Sequence, residues 1–137
     1  MPVIARVLET ALYVDDLARA VGFYRDVLGL RALAEGPRLA AMDAGAQTVL
    51  LLFLRGATAS GADMPAGWIP PHDGAGPIHV AFAISASELS AWEERLTRHG
   101  VAIESRIDWE EGGRSIYFRD PDGHSVELAT PGVWPTY

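Results

Sequence analysis

Hydrophobic and polar positions along this chain change period several times, and the changes mark its elements. From Val7 to Val14 the residues Leu8, Leu12 and Val14 fall on one side of an extended segment, which predicts a strand. Leu17, Val21, Tyr24 and Leu28 then recur at helical spacing. Asp15-Asp16 precede them, an acidic pair suited to the positive start of a helix, and Gly29 follows as a stop. Three short strands are expected next, at 30–35, 38–43 and 47–55, with turns at Gly36-Pro37 and Gly45. The whole pattern then recurs. Ile78, Val80, Phe82 and Ile84 alternate, and Ser85-Ala86-Ser87-Glu88 has the form of a capping box. Leu89, Trp92 and Leu96 form a helical stripe ended by Gly100. Strands are expected at 101–109, 114–119 and 125–130, with a tight turn at Asp120-Pro121-Asp122-Gly123.

The halves align at an offset of about seventy residues, with Glu9 opposite His79 and Gly29 opposite Gly100. The expectation is an α+β chain of two tandem βαβββ modules, residues 1–55 and 78–137 of a single domain spanning 1–137. Between them lies 56–77, a loop rich in Gly, Ala and Pro that would join the modules and could act as a lid. In each module the helix must cover one sheet face. The other faces would then form a shared concave wall of mixed β-sheet. Glu9, Ala11 and Tyr13, then His79, Ala81 and Ala83, then Ser125, Glu127 and Ala129 alternate away from the helices. Each of these rows mixes small residues with one able to bind a metal.

Composition narrows the chemistry. The chain has 137 residues, no cysteine and a net charge of −7. Without cysteine there is no disulfide, thiolate zinc site, iron–sulfur cluster or thiol nucleophile. An acidic surface repels phosphate backbones, so nucleic acid is not an expected partner. Neither a membrane-length apolar run nor a signal-peptide pattern is present, and a cytoplasmic location is expected. No nucleophile elbow, phosphate-cradling glycine loop or dinucleotide fingerprint occurs, and Gly112-Gly113 reads only as a turn.

The stretches LYVDDLARAVGFYRDVLGL (12–30) and SIYFRDPDGHSVEL (115–128), with HVAF (79–82) opening the second module, resemble the signatures of the vicinal oxygen chelate superfamily. Glyoxalases, bleomycin-resistance proteins and ring-cleaving dioxygenases belong to it. The resemblance implies the glyoxalase-like fold and metal ligands at Glu9, His79 and Glu127. A fourth ligand position would fall on Leu50 or Leu51, both apolar, so a four-residue glyoxalase I-type set is not expected. The remaining three resemble the three-ligand arrangement of ring-cleaving dioxygenases and fosfomycin-resistance enzymes, which usually carry histidine where this chain has Glu9, a departure that argues against iron-dependent oxygenase chemistry.

Two carboxylates and an imidazole suit a divalent ion, with Mn, Zn, Ni, Fe, Co and Mg all compatible. Three protein ligands leave positions open for substrate. The resemblance also implies a site tyrosine at Tyr117. Glu127, Tyr117 and Glu9 are therefore the candidate catalytic residues, Ser115 a weaker one, and Tyr13 a wall residue. Trp68, Trp109 and Trp134 are candidates for a pocket mouth, and His72-Asp73 for a solvated turn. His124, directly after a turn, is expected to be exposed. The expected function is a divalent-metal enzyme, lyase-, isomerase- or dioxygenase-like, acting on a small oxygenated molecule and forming a homodimer. The alternative is a metal-free drug-binding protein of the bleomycin-resistance type.

Overall fold

A computed structural model describes all residues 1–137. It resolves into two compact units, residues 1–75 and 76–137. In the first, β1 (Glu9–Val14) leads into α1 (Leu17–Gly22), which continues as a π turn (Phe23–Val27). Then follow β2 (Arg31–Glu35), β3 (Leu39–Asp43) and β4 (Val49–Leu54). Asp16 caps α1, its Oδ1 accepting the Arg19 N–H at 3.0 Å, as the acidic pair implied. Gly29 adopts φ of 74°, a left-handed stop that a side chain would resist.

The sheet order is β1-β4-β3-β2, with β1 and β4 parallel and the other pairs antiparallel. Leu12, Val14, Ala40, Met42, Leu50 and Leu52 make one face, each at most 1% exposed. Val21 and the fully buried Tyr24 are part of the same core, and α1 lies over β3 and β4. β1 begins two residues later than the alternation suggested, and Val7 and Leu8 are exposed. The segment expected to join the modules carries a small hairpin of its own, β5 (Ala62–Met64) and β6 (Gly67–Ile69).

The second unit repeats the arrangement. It contains β7 (His79–Ala83), a 3₁₀ turn (Ala86–Glu88), α2 (Leu89–Arg98), β8 (Ser105–Asp108), β9 (Arg114–Arg119) and β10 (Ser125–Ala129). The order β7-β10-β9-β8 copies the first sheet, with β7 and β10 parallel. Ile116, Phe118, Val126 and Leu128 make the buried face, and Leu96 of α2 is fully buried. Two expectations change in detail. Residues 101–104 are not strand, so β8 is only four residues long. Ser85 does not form a reciprocal capping box: its hydroxyl donates to the Glu88 carboxylate at 2.7 Å and accepts no amide of the turn. No helix is long and apolar enough to cross a membrane.

His124 is the clear reversal. Expected in solvent, it is fully buried. Its Nδ1 lies 2.7 Å from Asp120 Oδ2, and Asp120 Oδ1 accepts the amides of Asp122 and His124 at 3.0 and 2.9 Å. The aspartate thus organises the turn from inside and holds the ring under it.

Candidate functional site

The face of the second sheet opposite Ile116 and Phe118 carries Tyr117 and Ser115 on β9, Glu127 and Ala129 on β10, and His79, Ala81 and Ala83 on β7. Strand alternation alone puts them there. The register sets His79 opposite Ser125 and Ala81 opposite Glu127, so His79 and Glu127 are diagonal neighbours on adjacent strands. Their side chains meet, with Nε2 of His79 3.3 Å from Oε1 of Glu127. Glu127 is buried, at 6% exposure, while the His79 side chain is 51% exposed.

The chemistry of that contact is set from both sides. His79 Nδ1 lies 2.9 Å from the Ser125 carbonyl oxygen, which can only accept, so Nδ1 carries the proton. A neutral imidazole then presents a bare lone pair at Nε2, facing a carboxylate oxygen. Glu127 Oε2 accepts the Ser115 hydroxyl at 2.6 Å, and Ser115 Oγ accepts the Trp109 indole N–H at 2.8 Å. An indole N–H only donates, so the direction of this chain is fixed. Glu127 thus accepts the Ser115 hydroxyl through Oε2, while its Oε1 lies against His79 Nε2, acceptor to acceptor whenever the imidazole is neutral. A cation, or a second proton on the imidazole, resolves the conflict. That donor pair fits a divalent metal.

Tyr117 sits directly across from Glu127 and against His79, their rings 6.2 Å apart and 27° from parallel. Burial, then the Glu127 charge and a hydrogen bond to that carboxylate, hold its hydroxyl above the ordinary phenol pKa. Near neutral pH Tyr117 is thus a proton donor beside a carboxylate. Around this group lies a cavity of about 470 Å³. Its walls are mostly apolar: Trp109, Trp134, Tyr137, Val133 and the three alanines leave room and supply flat surfaces.

The C-terminal segment builds much of that wall. Gly113 and Gly132 press backbone to backbone, where a Cβ on Gly132 would sit 2.4 Å from the Gly113 nitrogen. Gly113 N–H donates to Gly132 O at 3.2 Å, and the Tyr137 hydroxyl reaches the Ile84 and Ala129 carbonyl oxygens at 2.9 and 2.8 Å. Gly112-Gly113 is more than a turn: the second glycine permits this close approach. Tyr137 and the glycine lock escaped sequence reasoning because partner contacts between residues 113 and 132 leave no periodic trace. Trp109 and Trp134 do line the cavity as expected, whereas Trp68 belongs to the first unit, on β6.

In the first unit, Glu9 opens β1 and is exposed, paired in register with Val49. Ala11 pairs with Leu51, so Leu51 stands to Glu9 as Glu127 stands to His79. That register settles the choice between Leu50 and Leu51: Leu50 faces the core at 1% exposure, and Leu51 occupies the equivalent position. Tyr13 is packed within this unit, stacked on Phe53, with its hydroxyl 2.7 Å from His72 Nδ1. His72 is no solvated turn residue, since it also packs edge-on against Phe53 at 4.7 Å. Within neither unit do three His, Asp or Glu side chains gather as a complete metal cage.

Comparison with known proteins agrees with this reading of the fold. The profile of the Glyoxalase/Bleomycin resistance protein/Dioxygenase superfamily matches residues 6–128. Metallothiol transferase FosB of Staphylococcus saprophyticus is 34% identical over 118 residues, covering 85% of this chain and 71% of that protein. Glutathione transferase FosA of Serratia marcescens is 31% identical over 120 residues, covering 85% of this chain and 74% of that protein. The crystal structure of lactoylglutathione lyase from Agrobacterium tumefaciens superposes with a TM-score of 0.87 at 35% identity, covering 96% of this chain and 98% of that one. With its duplicated βαβββ units and matching profile, the chain belongs to the Glyoxalase/Bleomycin resistance protein/Dioxygenase superfamily.

Proposed function

We propose that this protein is a divalent-metal-dependent enzyme acting on a small oxygenated molecule, with His79, Glu127 and Glu9 as the metal ligands. The observation that carries the reading is an imidazole nitrogen, His79 Nε2, set 3.3 Å from a carboxylate oxygen, Glu127 Oε1, side by side as two ligands of one cation would be. Both are ligand types common to borderline divalent ions. The relatives named as a metallothiol transferase, a glutathione transferase and a lactoylglutathione lyase favour redox-neutral transferase or lyase chemistry over oxygenation. The metal would supply Lewis-acid polarisation of substrate oxygens.

The protein's own side chains then have distinct tasks. Tyr117, protonated and beside Glu127, donates a hydrogen bond or a proton to a substrate oxygen on which negative charge develops. Ala81, Ala83 and Ala129 leave space for the substrate body, and the flat faces of Trp109 and Trp134 exclude water from it. Glu9, exposed on its own unit, is the candidate to complete the ligand set or to accept a proton. Elemental analysis of the purified protein, with calorimetric titration of Mn²⁺, Zn²⁺, Ni²⁺ and Fe²⁺, tests the proposal. Stoichiometric binding that His79→Ala abolishes is expected. A protein that binds none of the four ions would refute it.

The aromatic cavity favours a second reading, a metal-free binder of a flat apolar molecule. A ligand retained with undiminished affinity in the presence of a chelator would select that reading over the enzyme.

A further inference from the structure

The carboxylate of Glu127 does not orient itself. Three torsions lie between its backbone and its oxygens, and the alanines beside it provide no steric guide. Tyr117 hydrogen-bonds the carboxylate, and what holds Oε2 in particular is the directed chain from Trp109 Nε1–H to Ser115 Oγ at 2.8 Å, and from Ser115 Oγ–H to Glu127 Oε2 at 2.6 Å. Ser115 is 1% exposed, so water does not replace either partner. Because the indole donates into the hydroxyl oxygen, the hydroxyl proton is left to point at Oε2. Oε1 is then the oxygen presented to His79 Nε2.

Trp109 is itself held. Its amide donates to the Gly113 carbonyl at 2.8 Å, its carbonyl accepts from Gly112 at 3.0 Å, and the Gly113–Gly132 contact braces the same turn. A hairpin outside the metal-capable pair thus reaches in through one serine.

We infer that Trp109 is a positioning residue for Glu127, acting through Ser115, and that this relay sets the affinity of the cation site. The inference rests on the metal-site reading above. In this role Trp109 acts through its N–H, which holds the serine, while its ring lines the cavity. Loss of a hydrogen bond that orients a metal-binding carboxylate typically costs about 10–100-fold in metal affinity.

The test has a metal-free arm and a metal arm. In nuclear magnetic resonance spectra of the apoprotein, the Trp109 indole N–H, identified by its loss in Trp109→Phe, should exchange slowly with solvent. It should exchange fast in Ser115→Ala. Calorimetric metal titration should then show about a 10-fold loss of affinity in Trp109→Phe and up to 100-fold in Ser115→Ala. The double variant should be no worse than Ser115→Ala, since both act on one chain. Ser115→Thr, which keeps the hydroxyl, should restore most of the affinity. Wild-type affinity in Trp109→Phe, or additive losses in the double variant, would overturn the relay while leaving the metal site standing. Wild-type protein that binds no divalent ion would instead remove the site itself, and the relay's role with it.

Discussion

Replacing Glu127 with glutamine should stabilise the metal-free protein while destroying its response to metal, two effects of opposite sign from one atom. The Ser115 hydroxyl donates to Oε2, so the glutamine oxygen takes that place and the amide nitrogen turns toward His79. At 3.3 Å the existing contact sets lone pair against lone pair whenever the imidazole is neutral. In the variant an N–H donates to Nε2, and a buried charge disappears. A neutral hydrogen bond is worth about 1 kcal/mol net. For a chain of 137 residues, with an unfolding entropy near 2.1 cal/mol/K per residue, that is a rise of about 3 °C in Tm.

Metal acts in the other direction. An ion at one hundred times its Kd adds about 2.7 kcal/mol, or roughly 9 °C, to the wild type. Glu127→Gln should lose most of that shift. Differential scanning calorimetry above the ordinary imidazole titration range, with chelator and then with saturating Mn²⁺ or Zn²⁺, measures both. A metal-free variant that melts several degrees below wild type, yet keeps the full metal-induced shift, would refute the reasoning from acceptor conflict.

Other expectations follow from the same geometry. Gly132→Ala forces a Cβ against the Gly113 backbone at a φ of 106°, which should cost about 2–4 kcal/mol; thermal melting and faster amide exchange at Gly113 would report it. Asp120→Ala removes the acceptor of two amides and of the buried His124 ring, and denaturant unfolding should show a loss of about 3–5 kcal/mol. Burial, and then the Asp73 charge, raise the Tyr13 pKa, so the folded state holds that proton more tightly than the unfolded chain. Its contribution is complete below the ordinary phenol range and fades as pH climbs through about 10 and beyond; Tyr13→Phe should flatten the alkaline fall of Tm.

The elements were legible where period and punctuation coincide. The Asp16 cap, the Gly29 stop, β9 at 114–119 and the tight turn after Asp120 follow from local rules, and so does the face shared by Tyr117, Ser115 and Glu127. The parts that sequence could not deliver depend on pairing across distance. The Asp120 carboxylate buries His124 although the sequence shows only a polar turn. Ser85 bonds a side chain where a capping box would have used an amide. Trp109 was visible as an aromatic at a strand end, but the direction of its N–H depended on the β8–β9 register, which no spacing reveals. The choice between Leu50 and Leu51 likewise needed the β1–β4 pairing.

That pairing reaches beyond alignment. Duplication left two equivalent diagonal slots, and the chain fills one with a carboxylate and the other with the hydrocarbon of Leu51. Glu9 therefore has no carboxylate diagonal to it on its own sheet, whereas His79 has Glu127, and the two matching sheets differ in chemistry where they agree in register. Unequal inheritance of two matching slots thus leaves the polar pair to one sheet and hydrocarbon to the other.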